Sequence, residues 1–371
     1  MFGKIRKTGH APDYFLLAAI FLLTIFGLAM IASASSELGK IKFNDTYYFF
    51  KHQIMNGLIL GLIGGFIAYK INYQRYKVLA LPLLIVSVGV LALVFTKFGV
   101  TAGGASRWLS IGGLTFQPAE ILKLTFIVYL AAWFSNPKIN REGRFLEGLL
   151  PFLLVTGVVA TLLLLQPATS IVVIIIGTAV VIYFVSGAKL SYVFGLFGIG
   201  AVALALIVIL TPYRFERIKT FLNLNEDRLG SAYHVNEAQI ALGSGRLFGL
   251  GYGESKTKTS YLPAPIDDSI FAVTGEELGF IGAGSLIALF ATLVFRLFWI
   301  AKNLRDKFGQ LLLIGFGTIF AAQSAINIGA ISGLFPLTGV PLPFISYGGT
   351  ALAVFLVMSG IALNASKYTA R

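Results

Sequence analysis

Long apolar runs limit what this chain can fold into more than any other feature of its sequence. The mean hydropathy is +0.83 and 12% of the 371 residues are charged, whereas a soluble domain has about 25% charged residues. Because a helix needs roughly 17 to 25 apolar residues to cross a bilayer, the runs predict an all-α polytopic membrane protein with about ten transmembrane helices. The predicted spans cover residues 14–34, 53–69, 78–96, 119–135, 149–165, 168–186, 190–210, 269–295, 308–332 and 343–365.

The distribution of basic residues predicts the orientation of the chain. The formal net charge is +13, with 29 Lys and Arg residues. When the N-terminus is placed in the cytoplasm, the segments on that side hold more of these residues than the short outer segments do. By the positive-inside rule, this pattern predicts that both termini are cytoplasmic. Since the positive charge follows the membrane topology, it does not indicate a nucleic-acid partner.

The connections between the spans predict a single membrane domain over residues 1–371, because no solenoid repeat or low-complexity linker divides the chain. Two connections are long: a Gly-rich outer loop over 98–118 and a large outer loop over 211–268, between spans seven and eight. Within the second, HVNEAQIALGSGRLFGLG combines near-helical apolar spacing with Gly-rich turns, which predicts a loop folded against the membrane face. The chain has no cysteine, which excludes disulfides and zinc-thiolate sites.

The first polar cluster follows the Gly-rich loop. It contains Arg107 and Trp108, then Gln117 before a Pro that suits a helix start, then Glu120 and Lys123 one helical turn apart. One interpretation is a structural ion pair with a Trp anchor at the membrane interface. The other is a polar pocket inside the bundle that receives a charged lipid headgroup.

A second cluster lies in YLPAPIDDSIFAVTGEELGFIG, residues 261–282. Carboxylates near hydrocarbon are expensive to keep ionised, so in a membrane protein they are candidates for function. Ser269 suits a helix start, which places Asp268 at the water-facing mouth of span eight, either as a functional carboxylate or as a capping acid worth about 1 kcal/mol. Glu276 and Glu277 lie deeper, and we expect one of them to pair with a basic residue and to have a structural role.

The third cluster is NIGAISGLFPLTGVPLPFISYGGT, residues 327–350. So many Pro and Gly residues at membrane depth are tolerated only where protein or a cavity covers the backbone. The stretch predicts a re-entrant loop or broken helix that lines a site, with a plain short turn as the alternative.

These segments resemble the SEDS family of bacterial cell-wall proteins, the group of FtsW, RodA and SpoVE. GGASRWLSIGGLTFQPAEILK is similar to the family's Gly-Ala-x-Arg-Trp segment followed by Phe-Gln-Pro-Ser-Glu-x-x-Lys, and ALGSGRLFGLG is similar to its Gly-Ser-Gly loop. YLPAPIDDSIFAVTGEELGFIG resembles its Leu-Pro-Glu-x-x-x-Asp-x-Ile-Phe-Ala segment. GLFPLTGVPLPFISYGGT resembles its Pro- and Gly-rich signature. The forms PIDDSIFAV and GEELGFIG look more like FtsW than RodA.

The resemblance implies a peptidoglycan glycosyltransferase that polymerises lipid II at the outer face of the bacterial cytoplasmic membrane, in cell division or elongation. It implies a class B penicillin-binding transpeptidase as partner, together with divisome or elongasome proteins. The family's essential external aspartate falls on Asp268. Substrate-binding roles are implied for the polar residues of the motifs, namely Arg107, Trp108, Gln117, Glu120, Lys123, Lys258 and Ser346.

The sequence departs from the family pattern near the acids. Ala264 replaces the usual Glu, Glu237-Ala238 replaces a usual Gln-Ser, and Asp267 is an additional acid beside Asp268. Asp268 keeps the spacing to the following Ile-Phe-Ala, so we expect it to be the acting carboxylate.

Transfer of a glycosyl group from a polyprenyl pyrophosphate with inversion needs one base and no acid, because pyrophosphate leaves as an anion. Asp268 is the expected base. Arg107, Lys123, Lys258 or a divalent cation, Mg²⁺ or Mn²⁺, would stabilise the leaving group. Two other classes of function remain open: a lipid II flippase, and a non-catalytic scaffold for the transpeptidase.

Overall fold

Helices form most of the computed structural model, which describes residues 9–102, 105–136, 145–222, 232–260 and 262–370. Residues 103, 104 and 261 of the motifs quoted above, and residues 223–231 of the large loop, lie outside the described residues. The helices are α1 (Tyr14–Ala34), α2 (Ser36–Phe43), α3 (Tyr48–Gln53), α4 (Leu60–Lys70), α5 (Gln74–Ala92), α6 (Pro118–Phe134), α7 (Leu150–Leu165), α8 (Thr169–Val185), α9 (Leu190–Ile209), α10 (Pro212–Leu222), α11 (Tyr233–Ser244), α12 (Thr257–Ser260), α13 (Ile270–Asn303), α14 (Lys307–Ile331) and α15 (Gly349–Ser366). Single π-helical stretches precede α4 (Ile54–Ile59) and α7 (Phe145–Leu149), and a 3₁₀ turn (Leu93–Phe95) follows α5.

Helices lie on all the predicted apolar runs, which confirms the mostly helical membrane fold. Within the described residues, eight helical stretches are long and apolar enough to cross a membrane. The other two runs form helices of 17 residues, α8 and α6, and α6 carries a buried Glu and Lys. The last run was predicted to start at residue 343, but α15 begins at Gly349, because the Pro- and Gly-rich backbone before it does not form a helix.

The two long connections both contain regular structure. The first contains an antiparallel sheet of β1 (Gly99–Ala102), β2 (Ala105–Ile111) and β3 (Leu114–Phe116) in the order β1-β2-β3, which was not predicted for this connection. The second contains α10, α11 and α12. The helical spacing predicted for HVNEAQIAL is confirmed by α11.

The described residues nearest the two termini lie at the same end of the bundle. The His10 amide donates to the carbonyl of Lys367 at 3.0 Å. Arg296 of α13 makes a two-pronged ion pair with Asp13 before α1, with a shortest N–O distance of 2.6 Å. The Arg296 guanidinium also lies 4.3 Å from the ring centre of Trp299. These contacts fasten α1, α13 and the end of α15 together, as expected for termini on one side of the membrane.

Glycines allow α4 and α15 to approach closely. A Cβ atom on Gly360 of α15 would lie 2.1 Å from the carbonyl oxygen of Gly65 in α4, and one on Gly65 would lie 2.8 Å from the carbonyl oxygen of Leu356. Small residues at such crossings bring the two backbones into van der Waals contact. This packing drives helix association in a membrane, because lipid tails are as apolar as the side chains and the hydrophobic effect does not contribute.

Helix α13 breaks at Gly279, which has φ 66° and ψ −166°. A break frees backbone groups, and these are paired here with the loop after α11. The amides of Leu250 and Gly251 donate to the carbonyls of Glu276 and Glu277 at 2.9 and 3.0 Å, and the Phe280 amide donates to the Arg246 carbonyl at 2.8 Å. Backbone at membrane depth must be satisfied within the protein, so this loop is part of the bundle.

The glycines of ALGSGRLFGLG make this contact possible. A Cβ on Gly245 would lie 1.9 Å from the carbonyl oxygen of Gly275, and one on Gly249 would lie 2.1 Å from that of Glu277. Real Cβ atoms do not approach so closely. Both positions therefore require glycine for the loop to reach the broken helix.

We predict that Gly360→Ala lowers the melting temperature of the detergent-solubilised protein, because the added methyl group separates α4 from α15. Overpacking of this kind costs about 1 to 3 kcal/mol. Gly157→Ala in α7 is the matched control, since nothing lies within 4 Å of its added Cβ, and an Ala for Gly exchange there favours the helix by about 1 kcal/mol. Equal melting temperatures for the two variants would contradict the close crossing.

Candidate active site

A tight turn presents the two adjacent aspartates just before α13. Ala264 has a left-handed backbone with φ 47°, and its carbonyl accepts from the amides of Asp267 and Ser269 at 3.1 and 3.3 Å. A left-handed non-Gly residue is strained, and such strain persists where the surrounding structure holds it. The turn places both carboxylates at the N-terminal end of α13, which is the position predicted for Asp268.

Asn327 of α14 fastens this turn to the Pro-Gly segment, which we define as residues 332–348. Its side-chain amide donates to the carbonyl of Asp268 at 2.9 Å and to the carbonyl of Val340 at 2.7 Å. Asn327 is 1% exposed, so it makes both bonds without competition from water. The backbone position of Asp268 is therefore set from inside the bundle.

Ser346 makes a second connection. Its hydroxyl donates to the carbonyl of Asp267 at 2.5 Å and accepts from the amide of Leu342 at 2.8 Å. The amide of Tyr347 donates to the carbonyl of Ile266 at 2.8 Å. Ser346 was expected to bind substrate, but its hydroxyl is buried and used between two backbone groups, so the structure gives it a supporting role.

The two aspartate side chains differ in exposure. Asp267 is exposed and Asp268 is half-buried. Among the described residues, no hydrogen bond is made to the carboxylate of Asp268 from another side chain, although its backbone carbonyl is held. The carboxylate oxygens of Asp268 are therefore available to a molecule bound at the N-terminal end of α13.

Their surroundings raise the pKa of both groups. Although Asp267 touches solvent, removal of water by the protein around it, and then the charge of Asp268, raise the pKa of Asp267 to about 7. Desolvation raises the pKa of Asp268 above its ordinary value, and the nearby charges of His234 and Arg217 oppose that rise. A carboxylate with a raised pKa is a stronger base at neutral pH than an ordinary aspartate.

Glu120 and Lys123 form the predicted ion pair, at 2.6 Å and with each side chain 2% exposed. The Lys123 ammonium also donates to the side-chain oxygen of Gln323 at 2.9 Å and lies 5.0 Å from the ring centre of Phe355. The amide nitrogen of Gln323 in turn donates to the carbonyl of Pro341 at 2.8 Å. Through Gln323, the pair therefore supports the same Pro-Gly segment that holds Asp268. Gln323 lies four residues before Asn327 in α14.

Lys258 lies in a different polar group. Its ammonium pairs with Glu277 at 2.7 Å and donates to the hydroxyl of Ser33 and the carbonyl of Gly253 at 2.9 and 2.8 Å. These three contacts use the three protons of the ammonium, and the role of Lys258 in substrate binding stays a prediction. The pairing of Glu277 with a basic residue is as predicted.

Glu276 binds the segment that contains Lys258. Its carboxylate accepts from the hydroxyl of Ser255 at 2.5 Å, from the amide of Lys256 at 3.0 Å and from the hydroxyl of Thr257. Glu276 and Glu277 together thus hold residues 253–258 against the broken helix, and neither lies open to a ligand.

Arg107, Trp108 and Gln117 lie apart from the Asp268 turn. Arg107 of β2 donates to the carbonyls of Gln166 and Pro167 at 3.1 and 2.5 Å, which ties the sheet to the turn between α7 and α8. Trp108 is half-buried and its backbone pairs with Val100. The amide of Gln117 donates to the Thr350 hydroxyl at 3.2 Å. None of the hydrogen bonds described here for these three residues reaches Asp268.

Sequence reasoning missed Asn327, Gln323 and His234. The first two are polar residues four apart in an apolar span, a spacing that places them on one helix face, and this signal was available. His234 is half-buried in α11, and no local pattern in the sequence points to the turn it contacts.

The expected divalent cation has no site made by protein alone. Within the described ranges, no group of three His, Asp or Glu side chains comes together that could hold a metal ion. Mg²⁺ is usually bound by one or two carboxylates together with phosphates of a substrate, so a cation requirement stays a prediction.

Comparisons with known proteins give a consistent result. Residues 14–371 match the family of FtsW, RodA and SpoVE, described as cell cycle protein. The "Probable peptidoglycan glycosyltransferase FtsW" of Trichlorobacter lovleyi is 37% identical over 99% of this chain and 96% of its own length. The "Stage V sporulation protein E" of Bacillus subtilis is 36% identical over 98% of this chain and 99% of its own length.

Solved structures share the fold. The crystal structure of the rod shape determining protein RodA from Thermus thermophilus superposes with a TM-score of 0.72 at 28% identity, over 97% of this chain and 98% of that one. A chain in a structure described as "Structural coordination of polymerization and crosslinking by a peptidoglycan synthase complex" gives a TM-score of 0.78 at 29% identity, over 96% and 98% of the two chains.

We predict that Lys123→Met destabilises the protein by about 3 to 5 kcal/mol, because it leaves the Glu120 charge buried without a partner. The double variant Glu120→Gln/Lys123→Met should recover most of that loss. Thermal unfolding in detergent measures both. Lys51→Met is the control, since its pair with Asp45 is exposed and is worth at most about 1 kcal/mol. A single variant as stable as the parent would show that the pair is not buried.

The raised pKa of Asp267 predicts a pH dependence. Between its ordinary value of 3.8 and about 7, the folded protein binds this proton more tightly than the unfolded chain does, so the contribution of Asp267 to stability falls as pH rises through that window. Asp267→Asn cannot titrate. Its melting temperature relative to the parent should therefore be higher at about pH 8 than at about pH 5, and a difference independent of pH would contradict the assignment.

Proposed function

Because the chain belongs to the family of FtsW, RodA and SpoVE, we propose that it is a peptidoglycan glycosyltransferase that polymerises lipid II with inversion at the anomeric carbon. The name of relatives such as the probable peptidoglycan glycosyltransferase FtsW of Trichlorobacter lovleyi supports this proposal. The chain is a multi-pass membrane protein, and we place it in the bacterial cytoplasmic membrane with the Asp268 turn facing outside.

The observation that carries the proposal is the way Asp268 is held. Asn327 fixes its backbone, desolvation raises the pKa of its carboxyl, and no hydrogen bond from a described side chain occupies its carboxylate. A general base needs a fixed position, a free acceptor oxygen and a pKa nearer to the working pH than that of an exposed acid. Asp268 meets these requirements.

In the proposed reaction, the carboxylate of Asp268 takes the proton from the 4-hydroxyl of the acceptor sugar. The oxygen then forms a bond to the anomeric carbon of the donor while the bond from that carbon to the pyrophosphate oxygen breaks. The pyrophosphate leaves as an anion and needs no proton, so one carboxylate is sufficient. A positioned base contributes about 10² to 10⁴ in rate.

The predicted cations have different roles in this account. Lys123 and Lys258 donate to buried carboxylates, and we assign them to the support of the site. Arg107 and Trp108 lie at the sheet beside the α7–α8 turn, and Gln117 lies at the start of α6. We retain these three as substrate-binding candidates, reached by a long lipid-linked substrate and not by direct contact with Asp268.

One structural comparison supports a partner for this protein. A chain of this fold occurs in a peptidoglycan synthase complex that couples polymerisation to crosslinking. We therefore propose that this protein works with a class B penicillin-binding transpeptidase, in a divisome or elongasome.

We predict that Asp268→Asn abolishes lipid II polymerisation by the purified protein with its transpeptidase partner, with a loss of about 10² to 10⁴ in rate. Glycan strands separated on a gel measure the product. Asp267→Asn is the matched control and should retain strand synthesis, because Asp267 is exposed and only Asp268 keeps the spacing to the following Ile-Phe-Ala. Parental activity in a folded Asp268→Asn variant would refute the base assignment, and lipid II translocation without any polymer would favour the flippase instead.

A further inference from the structure

His234 contacts the turn that carries Asp268, although it is not one of the site residues predicted from the sequence. It is in the first turn of α11, a helix that packs against α13 and α14. Its ring is half-buried. The question is what a titratable side chain does beside the proposed base.

The hydrogen bonds of Ser269 determine how the imidazole is held. The Nε2 atom of His234 lies 2.6 Å from the hydroxyl oxygen of Ser269, and that hydroxyl lies 2.9 Å from the carbonyl of Pro263. A carbonyl can only accept, so the single hydroxyl proton of Ser269 goes to Pro263. The Nε2 atom of His234 must then be the donor, which fixes the tautomer and the ring orientation.

This chain of bonds includes the residue next to Asp268. Ser269 is fully buried, so it connects α11 to the aspartate turn without a solvent contact. The imidazole is therefore attached to the same short turn that Asn327 fastens from the opposite side.

The charges at this point are few. The charged groups that act on His234 are Asp268 from the turn and Arg217 from α10, and the charge of Asp268 also acts on Asp267. Residues 308–348, which supply most of α14 and all of the Pro-Gly segment, contain no charged side chain. Glu276 and Glu277 of α13 are occupied by residues 253–258. Among the described residues, Asp268 is thus the negative group whose charge raises the pKa of His234.

We propose that His234 is a positioning residue that acts through Asp268: held by Ser269, its imidazole stabilises the ionised carboxylate and keeps the base available under mildly acidic conditions. The role of Asp268 as the base rests on the function proposed above. The interaction between His234 and Asp268 does not depend on activity. Burial lowers the pKa of His234 below its ordinary value, the charge of Asp268 opposes that fall, and the charge of Arg217 adds to it.

The first test measures the pair directly and needs no substrate. The chain has three histidines, so the protein labelled with ¹³C and ¹⁵N in histidine gives a small set of imidazole signals in detergent, and His234→Gln assigns the one of interest. In Asp268→Asn, the titration midpoint of His234 should move to lower pH, because the negative charge is lost. In Asp267→Asn it should stay in place. A midpoint that is unchanged in Asp268→Asn overturns the proposal.

The second test separates this role from a structural one. Gln at position 234 can still donate to Ser269 but cannot carry a charge. In His234→Gln, the acid limb of the kcat profile for lipid II polymerisation should move to higher pH, with a rate at the acid edge about tenfold below the parent, the change that one unit of displacement produces. The KM should be unchanged. A profile that coincides with the parental one overturns the proposal, and absence of polymerisation in the parent would refute the proposed function while the titration result still stands.

Discussion

The hydrocarbon core of a membrane offers no hydrogen-bond partner to a polypeptide, and the rest of this structure depends on how the chain meets that constraint. Helices satisfy their own backbone, but two stretches here are not helical: the break of α13 at Gly279, and the Pro-Gly segment. Each must be satisfied by other protein groups. At Gly279 the partners are backbone amides and carbonyls of residues 246–251. At the Pro-Gly segment they include the buried side chains of Asn327, Gln323 and Ser346.

The groups that satisfy the Pro-Gly segment also build the candidate site. Asn327 uses one amide to reach both the segment and the carbonyl of Asp268. Gln323 connects the segment to the Glu120–Lys123 pair. An ion pair inside the bundle, a polar face of α14 and the backbone carbonyl of the half-buried Asp268 are therefore connected by hydrogen bonds. This arrangement explains how the turn that carries Asp268 can be held by a segment that has no secondary structure.

Sequence patterns predicted the parts of this structure that depend on local chemistry. Apolar runs predicted the helices, the spacing in α11 predicted a helix, and the i,i+3 spacing of Glu120 and Lys123 predicted their pair. The hydrogen-bond and ion-pair partners of residues in separate segments were harder to predict, because they depend on how the helices and loops pack. Lys258 was expected at the substrate, yet it pairs with Glu277, and only the folded loop brings the two together. The start of α15 was placed too early because Phe344, Ile345 and Tyr347 are apolar, although the segment they belong to is irregular.

Hydrogen–deuterium exchange of the parent and of Asn327→Leu in detergent would test most directly whether buried side-chain amides hold the site. This account predicts slow exchange in the parent for the amides of Leu342, Ser346 and Tyr347 and for the turn before α13. In the variant these peptides should exchange faster, while α4 and α15 should not change. Asn303→Leu, at the opposite end of α13, is the matched control and should leave the pattern intact. Unchanged exchange of the Pro-Gly segment in Asn327→Leu would contradict the account.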